Sequence, residues 1–268
     1  MFENGGINKI NVITFQAQIM MGAQFDKLKI AQNKAKCDPD EACRAIIVPC
    51  LRLAWNDAFR HVTKNVADLD NKFKINGELC KYKNLDNYVC SVILNDDLVI
   101  DTFTKYINAD NTDDKVRILC EADKDKGLAK KFENVKVIDE QEPKSLCFGH
   151  FQKLYNMAVK FYICLYIMSE ELNLGFMKKS NKYANPEKFA YADCPLDSYI
   201  LKNLDNSLDQ SSIHSELSNF GYKKFGDISW SNLRNKKDIE VYIHIQNVIK
   251  NLQTEDKSNL LFDFENWK

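Results

Sequence analysis

Residues 145–168, SLCFGHFQKLYNMAVKFYICLYIM, form the most apolar segment of this length in the chain. The segment predicts a helix that is buried on most sides, because apolar residues surround all but one arc of about 120°. That arc carries His150, Lys153, Asn156 and Lys160, which we call the polar seam. Two lysines and a histidine in a buried helix are costly unless an anionic or hydrogen-bonding group meets them. The polar seam is therefore the candidate site.

The chemistry expected at the polar seam is anion binding. Free amide donors and the positive end of the helix dipole collect anions at a helix start, for which Ser145 is the candidate N-cap. Gly149 would let a ligand approach closely. His150 and Lys153 are the candidate catalytic residues, with His150 moving a proton and Lys153 neutralising phosphate. Asn156 would orient the ligand, and Lys160 extends the positive track to about 15 Å at the rise of a helix.

Each of these residues also has a structural interpretation. Lys153 and Lys160 can extend to solvent from one exposed edge, while His150 is a satisfied core residue. Asp197 is the acid expected to pair with the seam as a ligand-binding residue. An acid at this position, just after Pro195, can instead complement the dipole of the helix that follows.

The remaining pattern predicts a single, mainly α-helical, bundle-like domain over residues 1–268, with a small β insert near 115–140. The polar run at 109–114 is the candidate subdomain break. The other predicted elements are a helix over 12–34, a helix from Pro39 that is interrupted or kinked at Pro49, two short helices within 79–107, strands at 115–120 and 135–138, a helix from Asp197 to about Asn206, a short helical element near 213–220, and a last long helix capped by Ser231 or Asp238.

Composition limits the classes of partner. Lys plus Arg total 37 against 38 for Asp plus Glu, so the formal charge is −1 and no global basic field attracts nucleic acid or a membrane. The basic residues are 32 Lys and five Arg, which hints at an AT-rich bacterial or phage gene. Nine cysteines without a C-x-x-C pair favour a reduced, cytoplasmic protein. The run from Leu154 to Met168 is too short to span a membrane, and no secretion signal is evident.

A second basic cluster is weaker than the seam. Arg44, Arg52 and Arg60 lie close together in the chain, which leaves phosphate binding open. Beyond Pro49, however, the polar face of this predicted helix covers about half its circumference, so solvated arginines need no ligand.

The sequence carries no specific catalytic template. The four histidines have no paired spacing for zinc, and nine glycines form no phosphate-binding loop, so no metal site or cofactor is specified. Glu142-Pro143-Lys144 has the residue types of a metal-dependent nuclease, but proline is poorly placed in that strand.

The leading hypothesis is binding, with processing left open, of a phosphate-bearing ligand (a nucleotide or nucleic acid) at the polar seam. The alternatives are a non-enzymatic protein–protein interaction module or homo-oligomer that uses its helix faces and the tail 262–267, and third a metal-dependent or metal-independent nuclease.

Overall fold

The protein is mainly helical with one small antiparallel sheet, as the sequence predicts. The computed structural model describes residues 39–60, 72–121, 127–139, 142–171, 184–253 and 258–266, so the helix predicted over 12–34 lies outside the described residues. The helices are α1 (Pro39–Arg60), α2 (Tyr82–Tyr88), α3 (Asp97–Ile107), α4 (Thr112–Glu121), α5 (Leu128–Lys131), α6 (Phe148–Glu171), α7 (Ser198–Ser207), α8 (Gln210–Leu217), α9 (Lys236–Leu252) and α10 (Leu260–Asn266). A π-helical turn, Val89–Ile93, follows α2, and short 3-10 turns include Pro186–Tyr191 and Trp230–Asn232.

The sheet has the order β2-β1-β3-β4, with all neighbours antiparallel. Its strands are β1 (Phe73–Ile75), β2 (Glu78–Leu79), β3 (Val135–Asp139) and β4 (Glu142–Ser145). Asn76 and Gly77 join β1 to β2 with φ angles of 52° and 87°. Both angles are left-handed, which suits Asn-Gly and the tight two-residue turn between twisted strands. The strand predicted at 135–138 is confirmed as β3.

The strand predicted at 115–120 is wrong, because these residues belong to α4. The polar run before them starts the helix: the side-chain oxygen of Asn111 accepts a hydrogen bond from the backbone of Asp114 at 2.8 Å. Lys115 and Leu119, one turn apart, are both buried. The alternating pattern of residue types favours a strand here. The N-cap and the buried residues at helical spacing favour a helix more strongly.

The long helix α6 lies at the centre of the described structure. It packs along α1 and also contacts α3, α4 and the Trp230–Asn232 turn. Helix α1 begins at Pro39, as predicted, and continues through Pro49 as one helix. Trp55 of α1 is fully buried, and its ring stacks on Phe132 with centroids 5.9 Å apart. This packing encloses the helix that carries the polar seam.

Two predicted helix starts are wrong. Ser145 ends β4, and α6 starts at Phe148, where the Cys147 carbonyl accepts the first helical bonds from His150 and Phe151. Helix α9 is capped by Asn235 rather than by Ser231 or Asp238, although Asp238 completes the capping box from the third helical position. The helix predicted from Asp197 is confirmed as α7, with Asp197 as its N-cap.

The C-terminal tail docks against the protein, as predicted. Leu260, Leu261, Phe262 and Phe264 are all buried. These apolar side chains are therefore turned into the core, where they offer no surface to a protein partner. Among the described helices, none combines the length and hydropathy needed to cross a bilayer.

Candidate functional site

All four residues of the polar seam are buried. The exposed fractions are 6% for His150, 3% for Lys153, 1% for Asn156 and 1% for Lys160. The lysines therefore do not extend to bulk solvent from an exposed edge. A buried ammonium needs a compensating charge within a few ångströms, so the partners of each residue decide what the seam can do.

Asn156 is held by side chains of the protein and by the backbone carbonyl of Cys194, to which its nitrogen donates at 3.4 Å. Its oxygen accepts a hydrogen bond from the Tyr106 hydroxyl at 2.7 Å, and its nitrogen donates to the Tyr242 hydroxyl at 3.0 Å. Tyr242 in turn donates to Asp193 at 3.0 Å. Burial raises the pKa of both tyrosines well above the usual value, and the Asp193 charge adds to the effect. Both hydroxyls therefore stay protonated and keep their donor roles.

Asp193 joins this network to a second buried ion pair. Its carboxylate lies 3.4 Å from the Lys115 ammonium and accepts a hydrogen bond from Thr112 at 2.8 Å. Both charged side chains are 2% exposed. Burial lowers the pKa of Lys115, while the Asp193 charge opposes the shift. The middle of the seam is thus a closed hydrogen-bonded network.

Lys160 pairs with an acid of the C-terminal helix. Its ammonium lies 2.5 Å from the Asp263 carboxylate and 4.9 Å from the centre of the Phe264 ring. Burial raises the pKa of Asp263, and the Lys160 charge opposes that shift. This end of the seam is an internal ion pair covered by α10.

Lys153 is the lysine of the seam whose acidic partners are partly exposed to solvent. Its ammonium donates to Asp197 at 3.3 Å, lies 3.9 Å from the Asp57 carboxylate, and lies over the Trp230 ring at 4.9 Å. Lys153 is 3% exposed, but the side chains of Asp57 and Asp197 are 27% and 30% exposed. We call Lys153, Asp57, Asp197 and Trp230 the Lys153 site. It is a buried ammonium in contact with two partly exposed carboxylates.

Asp197 has two functions at once. One carboxylate oxygen accepts the backbone N–H groups of Tyr199 and Ile200, both at 2.9 Å, which caps α7. The other oxygen faces Lys153. The two interpretations of Asp197 drawn from the sequence are therefore compatible, because each uses a different oxygen.

Gly149 and His150 position Trp230. The Gly149 amide donates to the Leu233 carbonyl at 3.0 Å, and a Cβ at Gly149 would lie 1.9 Å from the Trp230 carbonyl oxygen. The His150 ring lies edge-on to the Trp230 ring, with centroids 5.9 Å apart. Only glycine allows the Trp230 turn to pack this closely against the start of α6.

His150 also helps to cap α6. Its Nδ1 accepts a hydrogen bond from the Cys147 amide at 3.3 Å, so the Nδ1 nitrogen is unprotonated. Burial, and to a lesser extent the Arg234 charge, lowers the pKa of His150 to about 3. The imidazole is neutral at pH 7, and this geometry favours a positioning role over proton transfer near neutral pH.

The arginines of α1 bind acids of the protein where their side chains are described. Arg44 donates to the Asn95 carbonyl at 2.9 Å and pairs with Asp97. Arg52 lies 3.6 Å from Asp86. The side chain of Arg60 lies outside the described residues. The guanidinium groups of Arg44 and Arg52 are therefore each paired with a carboxylate of the same chain.

Sequence reasoning missed Asp57, Trp230 and Asp263. Asp57 lies on the polar face of α1, which the sequence predicts to be solvated, and its contact with Lys153, far away in the chain, leaves no local signal. Asp263 did carry a signal, because it is the single acid in the apolar run from Leu260 to Phe264. Burying an isolated acid in an apolar run costs desolvation free energy, as burying an isolated lysine does. Each therefore indicates that a partner of opposite charge lies nearby.

Comparison of the chain with protein-family models, with curated proteins and with solved structures finds no match. Within the described ranges, no group of three or more His, Cys, Asp or Glu side chains is arranged to hold a metal ion. The functional argument therefore depends on the chemistry of the Lys153 site itself.

Proposed function

We propose that the protein binds a phosphate-bearing ligand, a nucleotide or nucleic acid, at the Lys153 site. One observation carries the proposal: a buried ammonium lies between two carboxylates that are themselves partly open to solvent. Lys160 and Lys115, in contrast, face carboxylates as buried as themselves. Of these three lysines, Lys153 is therefore the one whose charge we expect a ligand to reach.

The charges at the site determine how phosphate enters. Two carboxylates face one ammonium, so a phosphate alone would be repelled more than attracted. A Mg²⁺ ion that arrives with the phosphate removes this difficulty, because Mg²⁺ binds one or two protein carboxylates together with phosphate oxygens and water. In this arrangement Asp57 and Asp197 hold the ion, Lys153 contacts the phosphate, and Trp230 offers a ring on which a base can stack.

The other seam residues support the Lys153 site rather than contacting the ligand. Gly149 and His150 hold Trp230 in place, and Asn156 and Lys160 fix α6 against α9 and α10 through Tyr242 and Asp263. Of the four seam residues, the proposed ligand thus contacts only Lys153.

Titration of the pure protein with ATP and with a short single-stranded oligonucleotide, each with and without magnesium, tests the proposal. We expect calorimetric binding that strengthens with magnesium and is lost in Lys153→Met. The control is Lys237→Met, which removes an exposed lysine near the start of α9. Asp57→Asn, at a partly exposed position, should weaken only the magnesium-dependent binding and guards against misfolding of the lysine variant.

Two results would overturn the proposal: no binding of either probe under any of these conditions, or equal binding by Lys153→Met and the parent protein. Electrophoresis of the oligonucleotide after incubation separates binding from cleavage. Intact oligonucleotide with magnesium present argues against a nuclease.

A further inference from the structure

A separate cavity lies between the start of α4 and the second half of α9. Its volume is about 150 Å³, and the segment 190–193 and Asn259 complete its walls. A cavity of roughly this volume holds a molecule of about six non-hydrogen atoms, as in a benzene-binding cavity of another protein. The cavity is therefore large enough for one small organic ligand.

The inner wall of the cavity is rigid and already satisfied. Asp193 is fixed by Thr112, Tyr242 and Lys115, and Asn259 donates to the Gln246 carbonyl at 2.9 Å. Because these side chains already have partners, a ligand gains little by competing for them. Their role is to shape the cavity. Because folding has already ordered these side chains, binding a ligand costs no further entropy to order them.

Three other lining side chains have no partner within the described part of the chain: Asp113, Asn247 and Lys250. Asp113 lies in the first turn of α4 and Lys250 in the last turn of α9, so residues of opposite charge line the same cavity from two helices. They form no ion pair with each other. Asp110, which also lines the cavity, is already paired with Lys188. Asn247, on the same helix as Lys250, adds an amide donor and an amide acceptor.

Residues of opposite charge that line one cavity from two helices, without an ion pair between them, match a ligand that carries both charges itself. We propose that this cavity binds a small zwitterion of the α-amino acid class. Its ammonium group faces Asp113, its carboxylate faces Lys250, and Asn247 hydrogen-bonds between them. The alanine residues of the lining segment and Ile243 leave room for a short apolar side chain only.

Equilibrium dialysis with radiolabelled L-alanine tests this site. We expect saturable binding at concentrations of about a millimolar and at least a tenfold loss of affinity in both Asp113→Asn and Lys250→Met. Both side chains are exposed, so the variants should fold, and Lys237→Met on the same helix should bind like the parent protein. Unlabelled lactate and isopropylamine, which each keep one charge, should compete at least tenfold more weakly than L-alanine.

Three results would overturn the inference. They are no saturable binding of L-alanine by the parent protein up to about 10 mM, equal binding by the two charge variants, or equal competition by lactate or isopropylamine. The Lys153→Met variant should bind L-alanine like the parent protein, which separates this cavity from the proposed phosphate site.

Discussion

The Lys160–Asp263 ion pair makes the sharpest prediction about stability. Replacing Lys160 with Met leaves a carboxylate that is about 95% buried without its ammonium partner at 2.5 Å. Removing one partner of a buried pair costs about 3–5 kcal/mol, because the remaining charge stays desolvated. For a chain of this size, the melting temperature should fall by about 5–9 °C.

Replacing both partners should behave differently. The variant with Lys160→Met and Asp263→Leu leaves no buried charge, so its stability should return to within about 1 kcal/mol of the parent protein or exceed it. Circular dichroism during thermal and urea unfolding measures all four members of this cycle. A single variant as stable as the parent, or a double variant as unstable as the single one, would refute the reasoning.

Acidification gives the same prediction a second readout. Burial raises the pKa of Asp263 in the folded protein, so the folded state binds this proton more tightly than the unfolded state does. The buried carboxylate therefore lowers the free energy of unfolding by its full amount above the folded-state pKa. This destabilisation is relieved as the pH falls toward the pKa of the unfolded state. In Lys160→Met the pKa should rise further, and the stability deficit should shrink between pH 7 and pH 5.

Three further substitutions test other parts of the structure. Gly149→Ala places a Cβ 1.9 Å from the Trp230 carbonyl oxygen and should cost about 1–3 kcal/mol in urea unfolding; a neutral result would contradict the close packing. The pKa of His150, lowered to about 3, predicts that between pH 7 and pH 5 the protein loses about 2 kcal/mol through this group, since the unfolded imidazole takes up a proton first. His150→Gln should remove that part of the pH dependence, and an unchanged slope would argue against it. Asn235→Ala removes the cap of α9 and should lower stability by about 1 kcal/mol in thermal melting, whereas no change would show that the cap contributes little.

The sequence predicted the central helix and its polar seam because both depend on local periodicity. An apolar segment with a narrow polar arc has one stable arrangement, in which it is buried and its polar residues find partners. The sequence predicted one partner of the seam, Asp197, which contacts Lys153, but it did not identify which lysine meets the isolated acid Asp263. Asp263 lies about a hundred residues beyond Lys160, and no local pattern reports a contact over that separation.

The errors have a common physical cause. Lys115 begins a run that alternates like a strand, but it lies in α4, where its side chain is buried in an ion pair with Asp193. Ser145 looked like a cap, but its backbone pairs with Lys136 in the sheet. In both places a tertiary contact overrode a local preference of about 1 kcal/mol or less.

The two oxygens of Asp197 have a consequence for measurement. One oxygen holds the amides of Tyr199 and Ile200, while the other faces the ammonium that a ligand would contact. Any ligand that pulls on this carboxylate therefore changes how often the first turn of α7 opens. Hydrogen–deuterium exchange at these two amides would then report occupancy directly, without a label on the ligand and before any reaction is known.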